Sequence, residues 1–505
     1  MAASLKREKV TRHLKYIDLR TSVARSKNNV PNYQTALEKR RGWMRGDLYK
    51  ERDEELTPLL AKPKIRAHVD PNVIIMAITE DYCPLPTVPN ANDFYPLNDP
   101  APGTLLPAEQ FPNNENPPTL LKPITIRGVT FQNRTFLSPM CQYSCRDGHV
   151  TDYHLVHLGQ FALHGVGALM VEATAVVPEG RITPTDAGIW ADSHIAPLKR
   201  IVDFVHAQGA KIGIQLAHAG RKASTVQLWM NFTVASDKPI VSRNRATEKE
   251  GGWPDKVVGP TDAKWADDFY TPKAMTEEDL QHVEDGFLAA IERCKTIGFD
   301  FIELHAAHGY LMSSFLSPLT NTRTDKWGGQ SLENRLRFPL RIAAAARKAW
   351  ADKPLFVRFS GSEWAPGPEQ VDGEWKSWGV EQSKLFAVEL AKLGVDLLDI
   401  SSGGNWAGQQ IKAAPGFQVP LAAAVKEAAP NVLVGAVGLI LNAKQAEEVL
   451  QEGKADVIFL ARELLRNPAF VLHAAQEFGV SVKPTVQYER GWMKMLHPKV
   501  GFTPV

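Results

Sequence analysis

The chain has 505 residues, 44% of them hydrophobic, enough for one barrel-sized core with length left over for an appendage. A formal net charge of +2 provides no global field for nucleic acid or an anionic membrane, which leaves small-molecule chemistry open. Four scattered cysteines, Cys83, Cys141, Cys145 and Cys294, exclude a disulfide framework and point to a reducing compartment.

Residues 1–50 carry 13 Lys or Arg against four Asp or Glu without a clear apolar period, and residues 84–118 are dense in Pro and Asn. Residues 1–116 are therefore expected to be a weakly ordered extension and linker of unassigned role, ahead of one domain over 117–505. A mitochondrial presequence is opposed by Glu8 and Asp18. With no apolar run near the roughly 18 residues that span a bilayer, a soluble cytoplasmic protein is expected.

From Leu120 onward an apolar strand, a polar turn and an amphipathic helix alternate. The expected strands are 135–140, 168–173, 211–216, 300–304, 355–359, 396–401, 432–437 and 456–460. Helical periodicity is clearest over Glu277–Ile297, Ser331–Trp350, Glu381–Leu393 and Ala443–Glu452. Eight such units predict an α/β fold, a (β/α)8 TIM barrel. An open doubly wound sheet would carry its Gly-rich phosphate turn after the first strand, whereas here Ser401–Gly404, Gly435–Gly438 and Ala461–Arg462 come late. Loops after strands seven and eight are the recurrent phosphate site of barrels, and Arg462 is the expected guanidinium there.

Chemistry belongs at the C-terminal ends of such strands. Strand one delivers Ser138, Pro139, Met140, Cys141 and Tyr143, strand two Ala173, and strand three Gln215, His218, Arg221 and Lys222. Strand four opens directly onto His305, His308 and Tyr310, and strand five carries Arg358. The histidine pair alone fits a metal site, a carbonyl-binding pair or satisfied packing groups. The set lacks neighbouring paired carboxylates, a nucleophile elbow and a third metal ligand, so no metal is expected. It is rich in amide, guanidinium and imidazole donors, which suit a flavin mononucleotide (FMN), with Gln215 on the pyrimidine edge and Arg358 as the cation beside the reduced ring. Arg358 within an apolar strand needs an anion, which a flavin supplies.

The strings SPMCQYS (138–144), VEATAV (171–176), GRITPTDAGIW (180–190), IGIQLAHAGRKA (212–223), HAAHGYL (305–311), FLSPLTNTRTDKWGG (315–329) and QYERGW (487–492) resemble the Old Yellow Enzyme family of flavin reductases, in its thermophilic-like (YqjM-like) subgroup. The resemblance spans about residues 117–492. It implies FMN contacts from Ser138, Pro139, Met140, Cys141, Ala173, Gln215, Arg358, Gly438, Ala461 and Arg462. His305 and His308 would hold a substrate carbonyl, Tyr310 would protonate the α carbon, Tyr143 would hydrogen-bond the substrate oxygen and Cys141 would face the flavin. The implied activity is reduction of the C=C bond of α,β-unsaturated carbonyl compounds, driven by NADPH or NADH. Arg490 would reach a neighbouring subunit's site, which implies a homodimer or higher homo-oligomer.

Two insertions depart from a compact member, one between Lys222 and Pro260 and one over Pro366–Gly379. Both follow strands and are expected at the mouth of the barrel. A 2,4-dienoyl-CoA reductase is excluded because no cysteine follows Cys294 to hold an iron–sulfur cluster. Two alternatives from other classes are a metal-dependent hydrolase using His305 and His308, and a flavin-binding protein without turnover.

Overall fold

The computed structural model describes residues 98–231 and 243–497. The basic arm, Cys83 and most of the expected extension lie outside the described residues, as do 232–242 of the first insertion.

Eight parallel strands close into a barrel: β1 (Thr135–Leu137), β2 (Ala168–Ala175), β3 (Lys211–Ala217), β4 (Phe301–Ala306), β5 (Leu355–Ser360), β6 (Leu397–Ser401), β7 (Leu433–Ala436) and β8 (Val457–Leu460). All eight fall on the expected segments. The longer helices between and after them are α1 (Asp152–Leu163), α2 (Ile195–Ala207), α3 (Glu277–Ile297), α4 (Leu332–Ala349), α5 (Val380–Lys392), α6 (Val419–Ala428), α7 (Ala443–Gln451) and α8 (Phe470–Phe478). The longest, α3, begins with a reciprocal cap: Asp279 N–H donates to Thr276 Oγ1 at 3.2 Å and Thr276 N–H to Asp279 Oδ2 at 2.8 Å. It ends at Gly298, whose φ of +98° suits glycine.

Residues 98–116, expected as linker, lie against the barrel. Asn114 Nδ2 donates to Ser481 O at 2.7 Å, and Gly103 N–H donates to Lys483 O at 2.7 Å. A hairpin of Ile124–Ile126 and Val129–Phe131 follows.

Alternation along each strand stacks the barrel interior in tiers. The lowest holds Phe136, Phe301, Phe356, Leu397 and Phe459, all buried, with Phe131 of the hairpin packed on Phe136 at 4.9 Å and on Phe301 at 5.7 Å between ring centroids. Glycine makes space for two of these rings. A Cβ on Gly213 would stand 2.4 Å from Phe301, and one on Gly435 2.4 Å from Phe459. Two residues further along their strands come Gln215, Glu303, Arg358 and Asp399, and two further again Ala217, His305, Ser360 and Ser401. Aromatic rings thus fill the N-terminal end of the barrel, and polar groups open at the C-terminal end.

Candidate active site

The mouth of the barrel is a cleft of about 270 Å³ lined by His308 after β4, Ser401 and Ser402 of β6 and its loop, Val437 and Gly438 after β7, and Leu460, Ala461 and Arg462 after β8. Gly438 (φ +117°) and Leu439 (φ +52°) carry the chain after β7 through backbone conformations rare for residues with side chains. Arg462 is exposed at its edge.

His305 is buried and fixed by its neighbour, since Ala307 N–H donates to Nδ1 at 3.2 Å, which leaves the ring proton on Nε2. His308 sits at φ +62°, donates its backbone N–H to Ser360 Oγ at 3.0 Å, and brings Nε2 to 2.7 Å from Ser401 Oγ. The two rings meet edge to face at 5.3 Å, and His305 meets Tyr310 in the same way at 5.0 Å. Burial first, then the cations Arg358 and Lys222, hold both imidazoles well below the ordinary histidine range, so both are neutral at pH 7. Burial also pushes Tyr310 and Tyr143 up, so both phenols keep their protons. The Cys141 thiol is likewise raised well above its usual value, chiefly by burial and then by Asp186. It is a neutral thiol.

Two further side chains complete this face: Lys222, read at the end of strand three without a role, and Asp186, which the strand-end reading did not include. Lys222 Nζ donates to His308 O at 2.9 Å and Gly404 O at 3.0 Å, between the rings of Trp265 (4.8 Å) and Tyr310 (5.1 Å). Burial and Arg221 pull its ammonium down to about 7. Asp186, from the GRITPTDAGIW string, accepts from Thr183 Oγ1 at 2.6 Å and from Ile182 N–H at 2.7 Å, and burial pushes it up to about 7.

The expectation that no carboxylates pair is corrected by the tier beneath the histidines. Glu303 Oε1 accepts from Gln215 Nε2 at 2.8 Å, while Asp399 stands 3.1 Å from Arg358 Nε, and all four side chains are buried. Arg358 therefore already has an anionic partner in the protein. Their strands place these groups on one inward face, which a reading of strand ends alone passes over. Burial raises both carboxyls, Glu303 well above its usual value with Asp399 the next cause.

One group of three possible metal ligands lies together among the described residues: Cys145, His154 and Glu172, apart from His305 and His308. They bond to one another, with His154 Nε2 at 2.8 Å from Glu172 and 3.4 Å from Cys145 Sγ.

The insertions divide their roles. From the first, the exposed Trp229 meets Tyr143 edge to face at 5.7 Å, and just beyond its end Trp265 Nε1 donates to Gly404 O at 2.9 Å, so this stretch edges the mouth. From the second, Trp378 is buried and donates to Ser360 O at 2.7 Å, which anchors the loop to β5. Arg490 is exposed on the 3-10 helix Val486–Trp492 and lines a different cleft with His473 and Gln476. A single chain does not bring it to the histidine pair.

The residues fit FMN. Ser138 Oγ is buried without a hydrogen-bond partner, its N–H donates to Leu460 O at 2.9 Å, and Arg358 Nε makes no aligned hydrogen bond despite its nearby carboxylate. Unpartnered donors on β5 and just after β1, together with the polar cleft at the ends of β6 to β8, suit a phosphate-bearing, acceptor-rich ring system.

The profile of the NADH:flavin oxidoreductase / NADH oxidase family matches residues 119–479. An NADH:flavin oxidoreductase of Gibberella zeae is 49% identical over 373 residues, 73% of this chain and 87% of its own. An NADPH dehydrogenase of Bacillus subtilis is 42% identical over 375 residues, 74% of this chain and 99% of its own. Among solved structures, a 2-naphthoyl-CoA reductase in complex with 2-naphthoyl-CoA aligns at a TM-score of 0.61 and 25% identity over 71% of this chain. The chain spans about half of that protein, 52%. Morphinone reductase aligns at a TM-score of 0.55 and 24% identity, over 72% of this chain and 91% of its own, a likeness of fold.

Proposed function

The chain belongs to the NADH:flavin oxidoreductase / NADH oxidase family, the Old Yellow Enzyme grouping anticipated from its strings, and is an FMN-dependent oxidoreductase served by a nicotinamide cofactor; from that premise we propose that it reduces the C=C bond of α,β-unsaturated carbonyl compounds. The observation that carries this reading is the cluster at the mouth of the barrel in which His305 meets His308 at 5.3 Å and Tyr310 at 5.0 Å, where burial favours the neutral imidazoles and the protonated phenol.

Bound FMN supplies hydride transfer between the nicotinamide and the alkene β carbon. Ser138, Pro139, Met140, Cys141, Ala173, Gln215, Arg358, Gly438, Ala461 and Arg462 would hold it. His305 donates Nε2–H to the substrate carbonyl oxygen, where negative charge grows as the β carbon is reduced. His308 assists, oriented by Ser401. Neutral donors act here without losing a proton. Tyr310 keeps its phenolic proton at working pH and delivers it to the α carbon. Tyr143 adds a hydrogen bond to the substrate oxygen, and Cys141 packs as a neutral thiol against the cofactor face. Arg490 would act only through a second copy of the chain, which makes a homo-oligomer part of this proposal. No described helix is long and apolar enough to cross a membrane.

The test is an absorption spectrum of the purified protein, followed anaerobically by NADPH and then cyclohexenone. Flavin bands that bleach with NADPH and return with the enone are expected. Bands that bleach but never return with any enone would refute alkene reduction.

A further inference from the structure

The middle tier of the barrel holds more charge than binding an electron carrier requires. Arg358 faces two carboxylates, Asp399 at 3.1 Å and Glu303 on the neighbouring strand, and neither has solvent exposure. Below them lies the apolar phenylalanine tier and above them the histidine tier, so the polar groups they face are those of the site. The other inward residues, Phe136, Met170, Gly435 and Phe459, carry no charge, and the titratable groups above are His305, His308 and Lys222. Both Asp399 carboxylate oxygens and one oxygen of Glu303 lack hydrogen-bond donors. Two ionised carboxylates here would leave one negative charge buried and poorly solvated beside Arg358, which is unfavourable. The arrangement is relieved when one carboxyl is protonated and the other pairs with Arg358. Burial and mutual repulsion set Glu303 as the protonated member.

That state balances only while Arg358 has a single anion to serve. We propose that the Glu303–Asp399 pair takes up one proton from solvent when the bound flavin is reduced and releases it on reoxidation, so that Arg358 passes from Asp399 to the reduced cofactor. This inference rests on the flavin reading above. In the balance, the nicotinamide gives one hydride and the cofactor gains one negative charge. One solvent proton then converts Asp399 carboxylate to carboxylic acid. On reoxidation the hydride leaves to the alkene β carbon, the α carbon receives its own proton, and Asp399 returns its proton to water.

The test is the midpoint potential of the bound flavin from about pH 6 to about pH 9. A two-electron couple that takes up one proton shifts its oxidised-to-reduced ratio tenfold per pH unit, about 30 mV, and one that takes up two shifts it a hundredfold, about 60 mV. The wild-type protein is expected to follow the two-proton slope, and the double variant Glu303→Gln/Asp399→Asn the one-proton slope. A one-proton slope in the wild type overturns the proposal. So does a two-proton slope kept in the double variant, because the second proton then sits on the cofactor. Should the double variant not fold, infrared difference spectra of the wild type decide. A carboxylic C=O band that grows on reduction and shifts in D2O supports the pair, and its absence overturns it. Protein that never holds flavin fails the function proposal instead, a distinct outcome.

Discussion

Replacing His305 with Leu removes the best-placed donor of the site while keeping a similar volume. Its Nδ1 is held by Ala307 N–H at 3.2 Å, so Nε2–H is pre-oriented, and the ring is buried, so its hydrogen bond is made away from water. A positioned donor of this kind contributes about 10²–10³-fold, roughly 2.7–4 kcal/mol. His308 shares Nε2 with Ser401 at 2.7 Å, so removing that hydroxyl in Ser401→Ala loosens a ring without deleting a donor. A single neutral hydrogen bond is worth about 1 kcal/mol, so a loss under about tenfold is expected. The assay is stopped-flow reoxidation of pre-reduced protein by cyclohexenone, with flavin content measured first. The pH dependence adds a second check. Both imidazoles are held below their ordinary value, so they stay neutral as pH falls through about 6.5 and gain charge only in stronger acid. A His305→Leu loss below about threefold in fully loaded protein refutes the donor argument. An inflection near pH 6.5 that the substitution abolishes refutes the neutral form.

Tyr310→Phe is expected to slow alkene reduction by about 10²-fold while NADPH still bleaches the flavin, read in the same instrument. Phe301→Ala, in the aromatic floor, should lower unfolding free energy by about 3–5 kcal/mol in urea titration, because the space beside Gly213 cannot refill. For Asp186, raised from 3.8 to about 7, the folded state favours the protonated carboxyl. Its stabilising contribution is full below about pH 4 and is lost as pH rises to about 7, amounting to at most about 4 kcal/mol. Asp186→Asn should flatten that part of the stability-against-pH curve, and an unchanged curve would exclude the assignment.

The barrel strands were legible because each is a short apolar run closed by a turn, and the His305–Tyr310 cluster was legible because it sits on one such end. Arg358 stood out as a charge inside LFVRF. Glu303 in FIELH and Asp399 in LLDIS carry the same signal, a charge on an inward position, yet their pairing appears only when strands 4, 5 and 6 lie side by side. His308 and Ser401 are 93 residues apart, and Lys222 reaches Trp265 through an insertion that departs from the family strings. Such contacts depend on closure of the barrel and on loop paths, which no local period encodes.

Phe131 comes from a hairpin outside the barrel and plugs it from below. The barrel is thus a blind well with a single entrance. On the reading proposed above, the electron donor and the electron acceptor must pass that entrance by turns, each leaving before the other arrives. A large excess of either traps the protein in the form that the other cannot reach. Initial rates should therefore fall at high concentrations of both reactants, a traffic rule imposed by the aromatic floor at the far end from the chemistry.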